Sequence, residues 1–357
     1  MNATRRATMR DVAARAGVSF KSVSRVVNGE PGVSPDLVSR VTLAAAELDY
    51  RHNLTASNLR RGARTSSVGV LLHDLSNTFS ARLLRTIGDR ARAQRIAVFS
   101  ASVDDDVERE PQLALDLVSR RVDGLVIMAA GGDQSYLAAE IRAGLHVVAV
   151  DRPVRGVDID TVVCDNRGGA RTAAEHLHGQ GHQRIACLTD REFLWTAAQR
   201  ADGFRDGLRP AGVLDERLVI PDLGDPALAE QAVTELMGLA EPPTALFTAQ
   251  NSITVGAVKA LRRLGLLDRI ALVGFDDFPL ADMLDPPVTV IRQDVAGMGE
   301  QASELLLTRL EGRTGPAETR SLPTTLVVRG SGEIAPPSTS GRRGVRRPRG
   351  ARGATGR

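Results

Sequence analysis

Cysteine is nearly absent: Cys164 and Cys187 are the whole supply in 357 residues. They form no C-x-x-C pair, so no disulfide framework or cysteine metal site is expected, and a reducing, cytoplasmic compartment is. Aromatic residues make up only 3% of the chain. The cores must therefore be aliphatic, and each ring is informative by its position. No run approaches the ~18 consecutive apolar residues of a membrane span. The stretch 1–10 is polar and basic and lacks the apolar segment of a secretory signal. There is no P-loop and no Gly-x-Ser-x-Gly elbow, and Gly131-Gly132 lacks the other glycines of a dinucleotide loop. His178 and His182 stand four apart, but Gly179 and Gly181 interrupt the helix and no carboxylate or cysteine completes a set of ligands. Neither a catalytic residue, a metal nor a cofactor is expected.

What is present is ample aliphatic content, with 42% hydrophobic residues, and a net charge of +3 that hides a strong asymmetry. Residues 1–65 carry +6, residues 336–357 carry +7 from seven arginines, and the middle carries −10. Such a division speaks of partners: the head can bind a polyphosphate, whereas the middle is repelled by one.

Residues 10–48 read as three short helices. Val12, Ala13, Ala16, Val18, Val23, Val26, Val27, Val38, Val41, Ala45 and Leu48 recur at three- and four-residue steps. Gly17 suits the tight turn after the first helix. Ser19 can cap a second helix that begins at Phe20, and Asn28-Gly29 ends it. Ser34-Pro35-Asp36 opens the third with a cap, a proline at the first helical position and an acid at the positive helix end. Two short helices around a glycine turn make a helix-turn-helix unit. Residues 53–65 could form two helical turns, too few to be stable alone in water.

From Ser67 onward, apolar runs alternate with amphipathic segments. The runs are Val68–Leu72, Ile96–Ser100, Gly124–Met128, Val147–Val150, Thr161–Cys164, Ile185–Leu188, Ala245–Thr248, Ala271–Phe275 and Val288–Ile291. Helices are expected over 79–93, 167–179, 226–239 and 252–264, among others. Uninterrupted apolar strands between helices predict parallel sheets covered on both faces. So many strands exceed one sheet, and two α/β lobes are expected. The fold class is thus a small all-α helix-turn-helix head plus a two-lobed α/β core. The divisions are a head over 1–52, a hinge helix or linker over 53–65, a core over 66–335 and a disordered arginine-rich tail over 336–357.

Several ordered motifs give these segments a family likeness. The head reads Thr8-Met9-Arg10-Asp11-Val12-Ala13-Ala14-Arg15-Ala16-Gly17-Val18-Ser19, then Ser22-Val23-Ser24-Arg25-Val26-Val27-Asn28, Val33-Ser34 and Leu48-Asp49-Tyr50. The core adds Ala174-Glu175-His176-Leu177 with Gly181-His182, Val273-Gly274-Phe275-Asp276-Asp277, Pro286-Pro287-Val288-Thr289 and Val327-Val328-Arg329. Over residues 8–335 the chain resembles the lac repressor family of bacterial regulators. The resemblance implies a homodimer, and a core like the periplasmic sugar-binding proteins whose lobes are joined by three crossovers, near residues 163, 292 and 321. The tail after Pro336 lies outside the family pattern.

A recognition helix needs side chains at its start that reach base edges in the major groove. Phe20, Lys21 and Arg25 are placed for this, and the resemblance assigns base reading to the same three. Arg25 can bond guanine O6 and N7 together, Lys21 can donate to guanine or phosphate, and Phe20 can pack on a thymine methyl. The competing reading is a basic face that touches only phosphate. Ser19, Ser22, Ser24 and Asn28 suit phosphate contacts or caps. In the linker the candidates are Asn53, Leu59 and Arg60. A leucine on a marginal helix beside arginines suits a wedge into the minor groove, and the family pattern puts an intercalating leucine at this position. Family members often have proline where His52 stands.

In a two-lobed α/β protein the ligand sits at the carboxyl ends of strands. Asn77 and Phe79 follow the first core strand, Asp151-Arg152 the fourth run and Asp165 the fifth; Asn251, Asp276 and Gln293 follow later runs, and Arg200 lies on a helix. Asp, Asn, Arg and Gln satisfy hydroxyls while Phe or Trp stacks on a sugar ring. Trp195, the sole tryptophan, is expected in a loop facing the cleft, as a stacking platform or a packing residue. The resemblance places Arg200, Asn251, Asp276 and Gln293 at effector-contacting positions. Where family members commonly have Asn-Pro-Phe-Phe, this chain has Asn77-Thr78-Phe79-Ser80, which removes one ring. The expected function is a sequence-specific transcriptional regulator, a repressor, that binds double-stranded operator DNA and answers to a small carbohydrate-like effector. The alternatives are a regulator that uses a phosphoprotein co-regulator, a transporter's solute-binding protein and an α/β enzyme. The basic head argues against the second, and no constellation supports the third.

Overall fold

A computed structural model describes residues 7–28, 30–50 and 65–337. Two compact units divide after Thr65, and each is described by itself. Asn53, Leu59, Arg60 and the tail from 338 lie outside the described residues.

The first unit holds three helices, α1 (Met9–Ala16), α2 (Phe20–Val27) and α3 (Pro35–Glu47). Each opens on a side-chain cap. Thr8 and Asp11 form a reciprocal capping box, Ser19 accepts from the Ser22 amide and Ser34 from the Leu37 amide. Such caps satisfy amides that the helix itself cannot. Gly17 ends α1 at φ +64°, the left-handed region where a side chain is strained. Val12, Ala13, Val23, Val41 and Ala44 bury the shared core. Val38, expected on the apolar stripe, is exposed instead, because the inward stripe of α3 runs through Leu37, Val41, Ala44, Ala45 and Leu48.

The second unit contains two six-stranded sheets. In the first lobe the order is β11-β5-β4-β3-β1-β2, with β1 (Ser67–Leu72), β2 (Ala97–Ser102), β3 (Gly124–Ile127), β4 (His146–Val150), β5 (Asp160–Cys164) and β11 (Thr319–Leu322), all parallel. In the second lobe it is β12-β10-β9-β8-β6-β7, with β6 (Ile185–Leu188), β7 (Val219–Ile220), β8 (Ala245–Thr248), β9 (Ala271–Phe275), β10 (Thr289–Gln293) and β12 (Thr324–Val327). Only β12 runs antiparallel to its neighbour. The two orders superimpose term for term, so β4 and β9 are equivalent, as are β5 and β10. Central strands are buried on both faces. The expectation of a buried run over 96–100 fails: β2 is a sheet edge, and its Phe99 is exposed.

The chain passes between lobes at Asp165, Asp294 and Pro323, each two residues beyond the point the resemblance implied. The shift has a local cause at the first two. Each strand runs to its end, and the next residue becomes a helix cap. Asp165 accepts from the Gly168 amide at 2.8 Å to open α7 (Asn166–Gly179), and Asp294 accepts from Gly297 at 2.9 Å to open α11 (Val295–Leu310). Helix α7 packs its Ala170, Ala173, Ala174 and Leu177 into the second lobe. Helix α11 returns to the first, where Met298, Ala302 and Leu305 meet Leu83 and Ile87 of α4 (Thr78–Ala93). Among the described residues no helix is long and apolar enough to cross a membrane.

Candidate functional site

At 3.6 residues per turn, Phe20, Lys21, Ser24, Arg25 and Asn28 share one face of α2, while Val23, Val26 and Val27 take the other and join the core. Burial of the valine face fixes which side chains point outward. Phe20 is 44% exposed, a large apolar ring offered to solvent at the head of a polar face. Ser19 and Ser22 bond each other at 2.9 Å as part of the cap, and Asn28 donates to the Ser24 carbonyl and hydroxyl oxygens. The Arg25 guanidinium donates to the Pro31 carbonyl at 3.2 Å and lies 3.4 Å from Glu30. This is an exposed pairing, worth little in water, so a stronger acceptor can displace it.

The second site lies between the lobes of the core. A tight cavity of about 30 Å³ opens at the carboxyl ends of both sheets. The first lobe lines it with His73, Asn77, Phe79, Ser80, Met128, Asp151 and Arg152; the second with Asp190, Thr196, Ala197, Arg200, Ala249, Gln250, Asn251, Asp276 and Gln293. Asp151 and Asp276 are the first residues after the equivalent strands β4 and β9. Both adopt left-handed backbone, φ +69° and +71°, which turns each carboxylate off the strand and into the cavity.

Two arginines organise the walls. Arg200, on α8 (Trp195–Leu208), donates to Asn166 Oδ1 and to the Ala249 carbonyl, both at 2.7 Å. Its guanidinium also lies 3.4 Å from Asp276 Oδ2 and 3.9 Å above the Phe275 ring. Gln293 donates to the other Asp276 oxygen at 2.6 Å. Arg152 donates to Asp105 Oδ1 at 2.5 Å and to the Ala129 carbonyl at 3.1 Å. Burial works against the Arg152 charge, but the neighbouring Asp105 and Asp151 outweigh it and hold the guanidinium above its ordinary range. Burial likewise opposes ionisation of Asp105, yet the contacts with His73 and Arg152 bring its carboxyl down to about 2. Asp151 goes the other way: burial pushes its carboxyl up, against the pull of Arg152 and Arg200.

Four buried polar atoms of this wall have no hydrogen-bond partner: His73 Nδ1, Asp151 Oδ1, Arg152 Nε and Gln293 Oε1. Buried polar groups are rarely left unpaired, and such a cluster asks for a partner molecule. Across the cavity Asn77 and Asn251 exchange two side-chain amide bonds, of 3.0 and 3.1 Å, one residue from each lobe.

Of the expected effector residues, Asn77, Phe79, Asp151, Arg152, Arg200, Asn251, Asp276 and Gln293 are gathered in this one cavity. Two expectations are corrected. Asp165 is exposed and its carboxylate is engaged in capping α7; a residue that follows a strand and precedes a helix serves the helix first. Trp195 is not in a loop but opens α8, and it is not among the lining residues. Thr196, Ala197 and Arg200 hold the cavity side of that helix at helical spacing. His73, Asp190 and Thr196 were missed, although His73 is the first residue after β1 and the same rule could have found it; Asp190 is the second after β6. The His178 and His182 rings are structural: His178 lies 3.1 Å from the His182 carbonyl, and His182 bonds Thr244 and the Ile334 carbonyl.

Comparison with known proteins covers both units of the chain. Residues 8–53 match the model of bacterial regulatory proteins of the lacI family, and residues 174–332 match a periplasmic binding protein-like domain. The chain is 31% identical to the HTH-type transcriptional regulator GalS of Salmonella typhimurium, over 91% of this chain and 96% of that one. It is 32% identical to the ribose operon repressor of Halalkalibacterium halodurans, over 90% and 96%. The lac repressor dimer bound to operator and the anti-inducer ONPF aligns over 93% of this chain and 100% of its own, at 27% identity and a TM-score of 0.80. With a capped helix-turn-helix head, two lobes of matching strand order around a polar cavity and relatives of nearly full length, the chain belongs to the lacI family of bacterial regulatory proteins and is a DNA-binding transcriptional regulator.

Proposed function

We propose that the protein is a cytoplasmic repressor that binds its operator as a homodimer and is switched by a neutral sugar held between the core lobes. The observation that carries the ligand class is the set of unpaired buried atoms in the cavity wall. Asp151 Oδ1 and Gln293 Oε1 require donors and Arg152 Nε requires an acceptor, and hydroxyl groups supply both. Phe79 offers a ring face for stacking. The closed space of about 30 Å³ holds little more than a water or two, so a sugar enters as the lobes part. Charge narrows the class further. Both lining arginines already have a carboxylate partner, Arg152 with Asp105 and Arg200 with Asp276. No lining arginine is left over for a phosphate or carboxylate, which binds best to a free cation. The names of relatives point the same way, since one is a ribose operon repressor.

In the head, Arg25, Lys21 and Phe20 read bases while the short polar side chains of α2 contact phosphates. A ligand that prefers one arrangement of the lobes shifts operator affinity by its differential binding to the two states. The test is a thermal-shift screen of the full chain against ribose, galactose, cellobiose and ribose 5-phosphate, followed by operator binding with each hit. A neutral monosaccharide at 100 times its Kd should add about 2.7 kcal/mol and change operator affinity. Stabilisation by the phosphorylated sugar at lower concentration than by any neutral one would overturn the charge argument.

A further inference from the structure

The rim of the cavity holds an ion cluster of which the effector reading uses only the Arg152–Asp105 pair. Asp105 is buried, its side chain 1% exposed, and its two oxygens are divided between the lobes. Oδ1 receives Arg152 of the same lobe at 2.5 Å. Oδ2 faces the Arg191 guanidinium of the other lobe at 3.5 Å. The same Oδ2 lies 2.9 Å from His73 Nδ1. That approach is close enough for a charge contact yet out of line for a hydrogen bond, since Nδ1 has no aligned partner. Asp104 and Asp105 both stand in the left-handed region, φ +59° and +53°. Two successive non-glycine residues there are held against their preference, a pattern that gathers at switching sites.

We infer that Asp105 is a latch that ties the lobes shut through Arg191, and that His73, which shares an oxygen with Arg191, sets how firmly the latch holds. The inference rests on the reading that the effector is bound between the lobes. His73 lines both the inner cavity and the outer mouth of the cleft, so it stands where solvent protons reach the latch. A proton on His73 places a second positive charge beside the Arg191 guanidinium on one carboxylate oxygen. The two cations repel, and His73 belongs to the lobe that carries Asp105, so Arg191 is the one displaced. Protonation therefore favours the open cleft.

The other charged groups around His73 favour a proton on its ring. Burial opposes a charged ring and Arg152 adds to that, but Asp105 and Asp190 outweigh them and hold His73 above its ordinary value. Asp74, Asp104 and Arg191 line the mouth around it, with Asp225 on the far side. Asp104 is engaged by Arg109, and Asp74 accepts from the Ser76 amide and hydroxyl. Asp225 caps a helix by accepting from the Ala227 amide.

The experiment has two arms on the full chain. In the first, the His73 imidazole is titrated by NMR in wild type, Arg191→Ala and Asp105→Asn, with His73→Gln to assign the signal. Losing the neighbouring cation in Arg191→Ala raises the His73 pKa, and Asp105→Asn lowers it. An unchanged His73 titration in Arg191→Ala overturns the latch, whatever the effector is. In the second arm, D-ribose affinity is measured by calorimetry at pH 8 and pH 6. For a half-exposed pair the loss on acidification is up to about fivefold, and Arg191→Ala abolishes the dependence. A dependence that survives in Arg191→Ala also overturns the latch. Failure of ribose to bind the wild type counts against the ribose reading and leaves the first arm to decide the latch.

Discussion

Replacing Arg200 with alanine asks whether the cavity is held in shape by its own charges. The guanidinium makes two donations of 2.7 Å, to Asn166 and to the Ala249 carbonyl, and lies 3.4 Å from Asp276 over the Phe275 ring. Truncation leaves Asp276 buried with Gln293 as its remaining donor. Removing one partner of a buried ion pair costs about 3–5 kcal/mol. The cavity beside it can admit water to the stranded acceptors, so the lower end, about 3 kcal/mol, is expected. For a domain of this size that lowers Tm by roughly 6–12 °C. Calorimetry and urea denaturation of the full chain read it directly. The double variant Arg200→Ala/Asp276→Ala should cost at least about 1 kcal/mol less than the sum of the single variants, because each partner is then spared the other's absence. Operator binding should survive at temperatures where the variant is folded, while the response to sugar is lost. Strict additivity, or a cost of Arg200→Ala below 1 kcal/mol, would refute the claim that Arg200 and Asp276 act as one unit.

Arg25→Ala should relax preference at one operator base pair per half-site and cost about 1–3 kcal/mol per contact; a binding-site selection that returns an unchanged consensus removes Arg25 from base reading. Gly203→Ala should both destabilise the core and weaken sugar binding. The added methyl would overlap the Arg167 carbonyl oxygen of α7, and overpacking of this kind costs about 1–3 kcal/mol while displacing Arg200 one turn away; equal sugar affinity at equal stability argues against it. Cys164 and Cys187 are buried, and burial pushes the Cys187 thiol up to about 12. Both should therefore react with an aromatic disulfide reagent only at the rate of unfolding. Fast labelling of the native protein would contradict the packing of both lobes.

Much of the cavity could be read in the chain because one rule places it: in parallel sheets covered by helices, the residue after a strand faces the ligand cleft. That rule finds Asp151 and Asp276 from their position after β4 and β9. It fails at Asp165, where the residue after the strand is also the first before a helix and its carboxylate takes the Gly168 amide. It covers His73, the first residue after β1, but not Asp190, which is the second after β6. The edge strands β7, β11 and β12 escaped notice for a different reason. Edge strands are half-exposed: β7 is only two residues long, and β11 and β12 alternate polar with apolar residues or begin with polar ones.

By itself the sequence determined the helix starts of the head, the alternation that makes two covered sheets, and the outward face of α2. Each of these is local: a cap reads three residues ahead, and an amphipathic period repeats within one element. Only the tertiary structure decided which polar residues meet. Asn77 and Asn251 are 174 positions apart, and Arg191 and Asp105 are 86 apart. No spacing in the chain encodes those meetings. They follow from two sheets of equal order facing each other, which brings the carboxyl ends of distant strands to one cleft and leaves Asp151, Arg152 and Gln293 with unpaired atoms inside it.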